Sequence, residues 1–340
     1  MYAAIDTGTT NTRIYIIDDN YRVVNKAEKK IGVRETAITG SKKKLKEGLL
    51  SCFEDAVRNS GVGTSDIKFI LISGMLTSEI GLLDIPHLKA PVGIQELVSN
   101  VKIIKDTEIF PVSIPLIFIP GIKNNIKDMN ITNIRKIDFM KGEETQVFGI
   151  LQKLKPELPC NVIFFSSHTK LIHISIGEKI AGSITTLSGQ IYEAIKKQTF
   201  IGKSITHNDY GVVDDFFSAK LLKIALESVE NAGFLRSLMM PRFMEVLMDT
   251  TSYEREFFVN AVISSEDIKI LNEAKKSMDF DINNTPVILI GNKTRCRIFK
   301  ELLKINKLNL SVRSICDNDS IDELVVEGGK MVVKQIIDRP

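Results

Sequence analysis

Residues 2–17 read "YAAIDTGTTNTRIYII": an apolar run ending on an aspartate, a Gly/Thr/Asn-rich stretch, and a second apolar alternation. That pattern constrains the N-terminus to strand–turn–strand. The turn has two readings. In one it is a nest, in which successive backbone N–H groups face an anion. Gly8 then supplies permissive φ/ψ, Thr9, Thr10 and Asn11 add short donors, and Asp6 holds a hydrated Mg²⁺. In the other it is an ordinary hairpin whose Asp and Asn bond their own backbone. The turn alone does not choose between them.

The chain has 340 residues, 44% hydrophobic and 26% charged, enough for two domains that each bury a core. The net charge of +3 is too near neutral for a nucleic-acid binder. The basic run "GSKKKLKEG" (40–48) lacks interleaved aromatics and reads as the solvated start of a helix. The start, Met-Tyr-Ala-Ala-Ile-Asp, is unlike a signal peptide, and no apolar stretch approaches membrane-spanning length. The expected location is cytoplasmic. The four cysteines are scattered without a CxxC, so free thiols are expected. His168 and His173 lie five apart in a strand-like region, face opposite sides and make a poor metal pair.

The rest of the chain repeats an order of elements without repeating a sequence. "YRVVNKAEKKIG" follows as a third strand, then a helix at 42–58 and the strand "IKFILIS" (67–73). "IPLIFIPGI" (114–122) is a further strand, and "IDFMKGEETQVFGILQKL" opens a helix with an acidic first turn. A second series begins near 161 with "NVIFFSS" and the paired strands of "LIHISIGEKIAGSITT". Helices are expected over 188–275, then the strand "TPVILIG" (285–291), the helix "RCRIFKELLKIN" and a last helix, "DELVVEGGKMVVKQII". Gly328-Gly329 interrupts that helical pattern and suits the close approach of a nucleotide or another helix. The expected domains are 1–141 and 142–340, with the helix at 142–155 as the crossing and the last helix packing back on the N-terminal domain. No Gly/Ser- or Pro-rich linker separates them, so closure over an interdomain cleft is expected.

The familiar phosphate motifs fail. "IGKS" (201–204) ends like a P-loop, but position 197 is lysine where that motif needs glycine. No GxGxxG occurs, and the first turn leads into a strand rather than a helix. What remains is a set of blocks. "AIDTGTTNTR" resembles the phosphate-1 motif of the sugar kinase/actin/Hsp70 superfamily. "SGMLTSEIGLLDIPHLKAP", "IPGI", "FMKGEETQVFG", "SSHTK", "TTLSGQIY" and "GVRETAITG" are similar to blocks of the 2-dehydro-3-deoxygalactonokinase family. They run in family order over residues 3–205. Beyond 205 the match is looser, carried mainly by "ILIGNKTRCRIFKELL" in the place of the adenosine-side motif.

The resemblance implies an α/β protein of two RNase-H-like domains, the actin-like ATPase fold. It implies ATP and Mg²⁺ as cofactors and transfer of the γ-phosphoryl to the 6-hydroxyl of 2-dehydro-3-deoxy-D-galactonate. The expected partners are a small-molecule sugar acid and ATP, without nucleic acid or membrane; a homodimer stays open. Glu143 and Glu144 open the crossing helix where such kinases place a catalytic carboxylate. Being adjacent, they point about 100° apart, so one of them faces the acceptor; the alternative is two first-turn glutamates complementing the helix dipole. Ser166, Ser167, His168 and Thr169 are expected to form the second phosphate turn, with Gly291 and Asn292 on the adenosine side or as a plain helix cap. A sugar acid needs a cation, best an arginine, and Arg13 and Arg34 are the candidates, with Gly74 and Ser78 also on the substrate side. Two positions depart from the family pattern. Ser166 replaces a glycine, so its Cβ narrows a phosphate approach or demands strained φ/ψ. Gln190 replaces a glutamate, which removes a charge. These departures keep open an alternative: a nucleotide- or sugar-acid-binding regulatory protein of the same fold.

Overall fold

The computed structural model describes residues 1–206, 216–308 and 310–337. The part of the expected 188–275 helical region at 207–215 lies outside the described residues. The chain forms two compact units. The first comprises Met1–Pro156, Ser175–Gly182 and the chain from Asp322; the second comprises Glu157–Ile174 and Ser183–Ile321. The first unit therefore runs past the expected 141/142 boundary and includes the whole helix that follows.

In the first unit β1 (Tyr2–Thr7) turns into β2 (Thr12–Ile17), followed by β3 (Val23–Lys29), β4 (Ile70–Gly74), β5 (Lys102–Ile104) and β6 (Leu116–Phe118). They form one sheet in the order β3-β2-β1-β4-β6-β5. β1 pairs antiparallel with β2 and parallel with β4, and β4 runs parallel to β6. The short helix α1 (Arg34–Thr39) precedes α2 (Lys43–Ser60). α2 buries Leu45, Leu49, Cys52, Phe53, Ala56 and Val57, a stripe at helical spacing. That stripe joins one core cluster with Ile5, Ile14 and Ile16 of the sheet.

The second unit repeats the arrangement. Its strands are β7 (Cys160–Phe165), β8 (Thr169–Ile174), β9 (Ile180–Thr186), β10 (Val287–Gly291) and β11 (Val312–Ile315), in the order β9-β8-β7-β10-β11. β7 is antiparallel to β8 and parallel to β10. The two sheets thus share one plan, 3-2-1-4 followed by a further parallel strand, to which the first sheet adds β5 antiparallel at its edge, although the sequences show only a shared order of elements. All six residues of β7 are buried, as expected of a central strand covered on both faces.

Helix α3 (Glu143–Leu154) belongs to the first unit, where its Gly149 lets the last helix pack closely against it. The last helix, α7 (Asn318–Ile337), crosses it within that unit from Asp322 onward. A Cβ on Gly149 would stand 1.9 Å from the Leu324 carbonyl oxygen, and one on Gly328 would stand 1.8 Å from that of Thr145. The Gly328-Gly329 interruption therefore serves a helix crossing. The four cysteines are free thiols, three of them buried.

Candidate active site

In the first unit the site is built around Asp6, near the end of β1. The pairing puts Arg13 opposite it on β2 and Ser73 beside it on β4, with Gly74 beside Thr7. Gly74 takes φ 77°, and a Cβ there would lie 2.5 Å from the Thr7 carbonyl oxygen and 3.1 Å from Asp6 Oδ1. Gly142, at φ 113°, brings the start of α3 onto the same spot: its Cβ would lie 3.1 Å from Gly74 Cα and 3.9 Å from Asp6 Oδ1. Two bare backbones thus wall one carboxylate. Burial pushes the Asp6 carboxyl up to about 6; Arg13 pulls it down, while Glu143 and Asp322 add to the rise.

The two glutamates separate cleanly. Glu144 is fully buried, and both its carboxylate oxygens accept the Gly142 N–H at 2.8 Å. Burial, with the charge of Glu143 beside it, raises its carboxyl to about 8. Glu143 is half-buried, and its charge acts on both Asp6 and Glu144. Of the pair, Glu143 is the one that reaches toward solvent near Asp6.

The turn after β1 is closed by Gly8 N–H donating to the Asn11 carbonyl at 2.9 Å and by the Thr7 and Thr12 hydroxyls at 3.0 Å. Gly8 and Thr10 are exposed, Thr9 and Asn11 half-buried. Gly8 does not occupy the left-handed region, and a Cβ would meet nothing nearer than the Asn11 carbonyl oxygen at 4.0 Å. The expectation that glycine supplies a special φ/ψ here is corrected: the backbone does not need it. Gly32 is the glycine that the turn requires. Its Cβ would stand 2.5 Å from the Thr9 carbonyl, and the chain beyond it is tied down by Val33 N–H to Gly8 O and Arg34 N–H to Thr9 O.

Arg13 is engaged by the protein's own acids, at 3.2 Å from Asp322, 3.8 Å from Glu28 and 4.0 Å from Asp6. Its guanidinium is turned to Asp322 of α7, which also pairs with Lys26. This corrects its expected place as a carboxylate receptor. Arg34 is exposed at the start of α1, beside the Thr9 carbonyl. Ser78 is buried, its hydroxyl donating to the Met75 carbonyl at 2.7 Å, so it braces a 3₁₀ turn rather than facing a ligand. Lys141 was not foreseen. It is buried, donates to the Thr77 carbonyl and to that of Ile85 at 2.9 Å, and lies 3.6 Å from Asp84. It fastens residues 77–85 to the short strand Phe139–Met140 that leads into α3.

In the second unit Ser166–His168 forms a tight turn between β7 and β8, with Ser166 N–H donating to the His168 carbonyl at 3.0 Å. Ser166 is exposed and lies outside the left-handed region, so the strained backbone expected there does not arise. Helix α4 (Ser188–Gln198) starts against this turn. A Cβ on Gly189 would stand 2.0 Å from Ser166 O, and Gln190 N–H donates to Ser167 O at 2.8 Å. His168 has Ser167 Oγ 3.2 Å from Nδ1 and Gln190 Nε2 3.2 Å from Nε2. Thr169, by contrast, is fully buried and donates its hydroxyl to Asp267, so it supports the turn from behind.

Gly291 ends β10 at φ 122°, and its Cβ would stand 2.2 Å from Phe165 O. It lets β10 lie against the end of β7. Asn292 caps α6 (Lys293–Ile305), its side chain accepting Arg295 N–H at 3.0 Å. A cavity of about 450 Å³ in this unit is lined by Thr186, Ser188, Ile191, Phe234, Asp267 and Ile270 among others. The sequence-expected residues therefore gather into two clusters, one in each unit. Those it missed, Asp322, Lys141, Asp267 and Arg295, are all buried charges far in sequence from their partners.

Two sheets of one plan, each with a polar turn between its first two central strands, define a two-domain α/β protein of the actin-like, sugar-kinase fold. The family model described as 2-keto-3-deoxy-galactonokinase matches residues 6–322, and the chain belongs to that family. It is 24% identical over 210 residues to the probable 2-dehydro-3-deoxygalactonokinase DgoK1 of Rhizobium meliloti (strain 1021). That alignment covers 61% of this chain and 60% of the relative. Among solved structures it is similar to a provisionally named 2-dehydro-3-deoxygalactonokinase protein from Sinorhizobium meliloti, with TM-score 0.73, 20% identity and coverage of 100% and 98% of the two chains. It also shares its fold with component A of the (R)-2-hydroxyglutaryl-CoA dehydratase of Acidaminococcus fermentans, at TM-score 0.51, 11% identity and 98% coverage of each.

Proposed function

We propose that the protein is an ATP-dependent kinase that phosphorylates the 6-hydroxyl of 2-dehydro-3-deoxy-D-galactonate or a related 2-keto-3-deoxy sugar acid, a step of galactonate catabolism. The observation that carries this reading is the convergence of Asp6, Gly74, Gly142 and Glu143 in a unit whose family is that of the galactonokinases. Phosphoryl transfer relies on positioning and electrostatics more than on covalent chemistry by the protein. Glu143 is the candidate to accept the proton of the attacking hydroxyl. Thr9, Thr10 and Asn11 offer backbone and short side-chain donors to phosphate, and Gly8, without a side chain, leaves room for its approach. Ser166, Ser167 and His168 offer the same in the second unit, with Gly291 and Asn292 near the nucleoside. Arg34 is the candidate partner for the substrate carboxylate.

Mg²⁺ fits Asp6. Among the described residues no group of three or more His, Cys, Asp or Glu could hold a metal. Asp6 is a single carboxylate under pressure from Glu143 and Asp322, which a cation would relieve. Mg²⁺ keeps most of its waters and is held by one or two carboxylates plus phosphate, so one aspartate suffices. When bound it would neutralise phosphate charge. Among the described residues no helix is long and apolar enough to cross a membrane.

The test is direct. Purified protein with ATP, Mg²⁺ and a panel of 2-keto-3-deoxy sugar acids should release ADP with at least one of them, the product carrying phosphate on its 6-oxygen. ATP binding without ADP release from any acid would favour the regulatory alternative.

A further inference from the structure

Behind the Ser166–His168 turn, the second unit buries one carboxylate with a full set of partners. Asp267 ends helix α5 (Ser252–Asp267) and is 3% exposed. Its Oδ2 accepts the Thr169 hydroxyl at 2.7 Å and Arg295 Nη2 at 2.7 Å, and the same Nη2 lies 2.6 Å from Thr169 Oγ1. Its Oδ1 accepts the Thr186 hydroxyl at 2.6 Å and that of Ser188. The four partners come from the start of β8, the end of β9, the start of α4 and the first turn of α6.

Three of the partners adjoin the turn, and the fourth, Thr186, has its hydroxyl 2.6 Å from that of Ser188. Thr169 follows His168 directly. Ser188 precedes Gly189, whose backbone abuts Ser166 O. Arg295 lies three residues past Asn292, whose N–H donates to the Phe165 carbonyl, and its guanidinium sits 5.1 Å over the ring of Phe165, the residue before Ser166. A buried Asp–Arg pair is weak as a stabilising device, because desolvation offsets most of the attraction. Its best-attested use is to select one geometry among several. Side chains that hold a binding group rigid from behind matter as much as the group itself.

We propose that Asp267 is a positioning residue for nucleotide binding: it clasps β8, β9, α4 and α6 around one carboxylate and so fixes the Ser166–His168 turn in the form that receives phosphate. This rests on the reading of that turn as a phosphate site. Asp267 lies behind the turn and acts through the four side chains bonded to it.

The experiment compares the full-length wild type with Asp267→Asn, Thr169→Val and Ser188→Ala. It measures melting, ATP binding by calorimetry and steady-state KM for each substrate, all at a temperature where every variant is folded. The KM for ATP should rise about tenfold in Asp267→Asn and about threefold in Thr169→Val, the scale of one or part of one lost charged hydrogen bond. The KM for the sugar acid should stay within twofold. Lower melting with wild-type ATP affinity in all variants would make the network merely structural and overturn the proposal. If Asp267→Asn does not fold, the two hydroxyl variants decide it by the same criterion. Wild-type protein that binds no ATP overturns the nucleotide reading itself, a failure seen before any variant is compared.

Discussion

Glu144 folds both carboxylate oxygens back onto the amide of Gly142, two residues before it, at 2.8 Å each. A helix N-terminus leaves its first N–H groups without partners, and here the helix supplies its own acid to one of them. The neighbouring Glu143 is thereby distinguished from it. One glutamate of the pair closes the helix start, and the other stands half-buried near Asp6.

Glu143→Gln and Glu144→Gln should therefore differ in kind. Glu143→Gln should lower kcat by about 10²–10⁴-fold with melting unchanged, the usual loss for a general base. Glu144→Gln keeps an oxygen for the Gly142 N–H and removes a charge that burial disfavours, so near pH 7 melting should hold or rise, with kcat within tenfold. Equal, mild effects on kcat from both would sink the assignment of a base to this helix.

Stability should depend on pH through Glu144. Its carboxyl has an ordinary value of 4.5 and sits near 8 in the fold. Between those values the folded chain keeps a proton that the unfolded chain has released. Stability from this group is therefore full below about 4.5 and falls as pH rises toward 8. Asp6 acts in the same direction between 3.8 and about 6. Denaturant unfolding from pH 6.5 to 8 should show falling stability in the wild type and a flatter profile in Glu144→Gln. Identical slopes would show that the proton is held elsewhere.

The two turn glycines should respond differently to alanine. Gly291 has φ 122° and a carbonyl oxygen 2.2 Å from the added Cβ, so Gly291→Ala should cost more than about 2 kcal/mol or prevent folding. Gly8 has neither obstacle, so Gly8→Ala should change stability by less than about 0.5 kcal/mol. If the first turn receives phosphate closely along its backbone, the same variant should raise the KM for ATP severalfold. Thermal melting and kinetics on the two variants settle both points.

Arg34→Met should raise the KM for the sugar acid about tenfold or more, the scale of a lost charged hydrogen bond, and leave the KM for ATP alone. Arg13→Met should instead destabilise by about 1–2 kcal/mol, because Asp322 loses one of its two cations. A sugar-acid KM that follows Arg13 and ignores Arg34 would reverse the assignment.

Much of the frame is legible in the sequence because it is local. The strand–turn–strand of residues 2–17, the apolar stripe of α2 and the acidic start of α3 each follow from neighbouring residues. The extent of the first unit was not, since α3 joins it through Gly149 and Gly328, whose partner helices are far apart in the chain. The site divides in the same way. Turn residues announce themselves by composition, and Gly74 and Asp6 stand in quotable blocks. Arg13 and Ser78 show the opposite case: the right residue type in the right block, with a side chain committed to Asp322 and Met75. Buried charges such as Lys141 and Asp267 leave no local trace, because their partners lie 56 to 98 positions away in several of these bonds.

Ser166 of the β7–β8 turn and Gln190 of α4, the two positions read from the sequence as departures, meet at one place. Gly189 abuts Ser166 O, and Gln190 reaches Ser167 O and the His168 ring. They therefore act as one structural unit. Neighbours in one hydrogen-bonded cluster are expected to be epistatic. Changing Ser166 or Gln190 alone would alter the surroundings of the other, so only the double variant beside both single ones separates their joint effect from their individual ones.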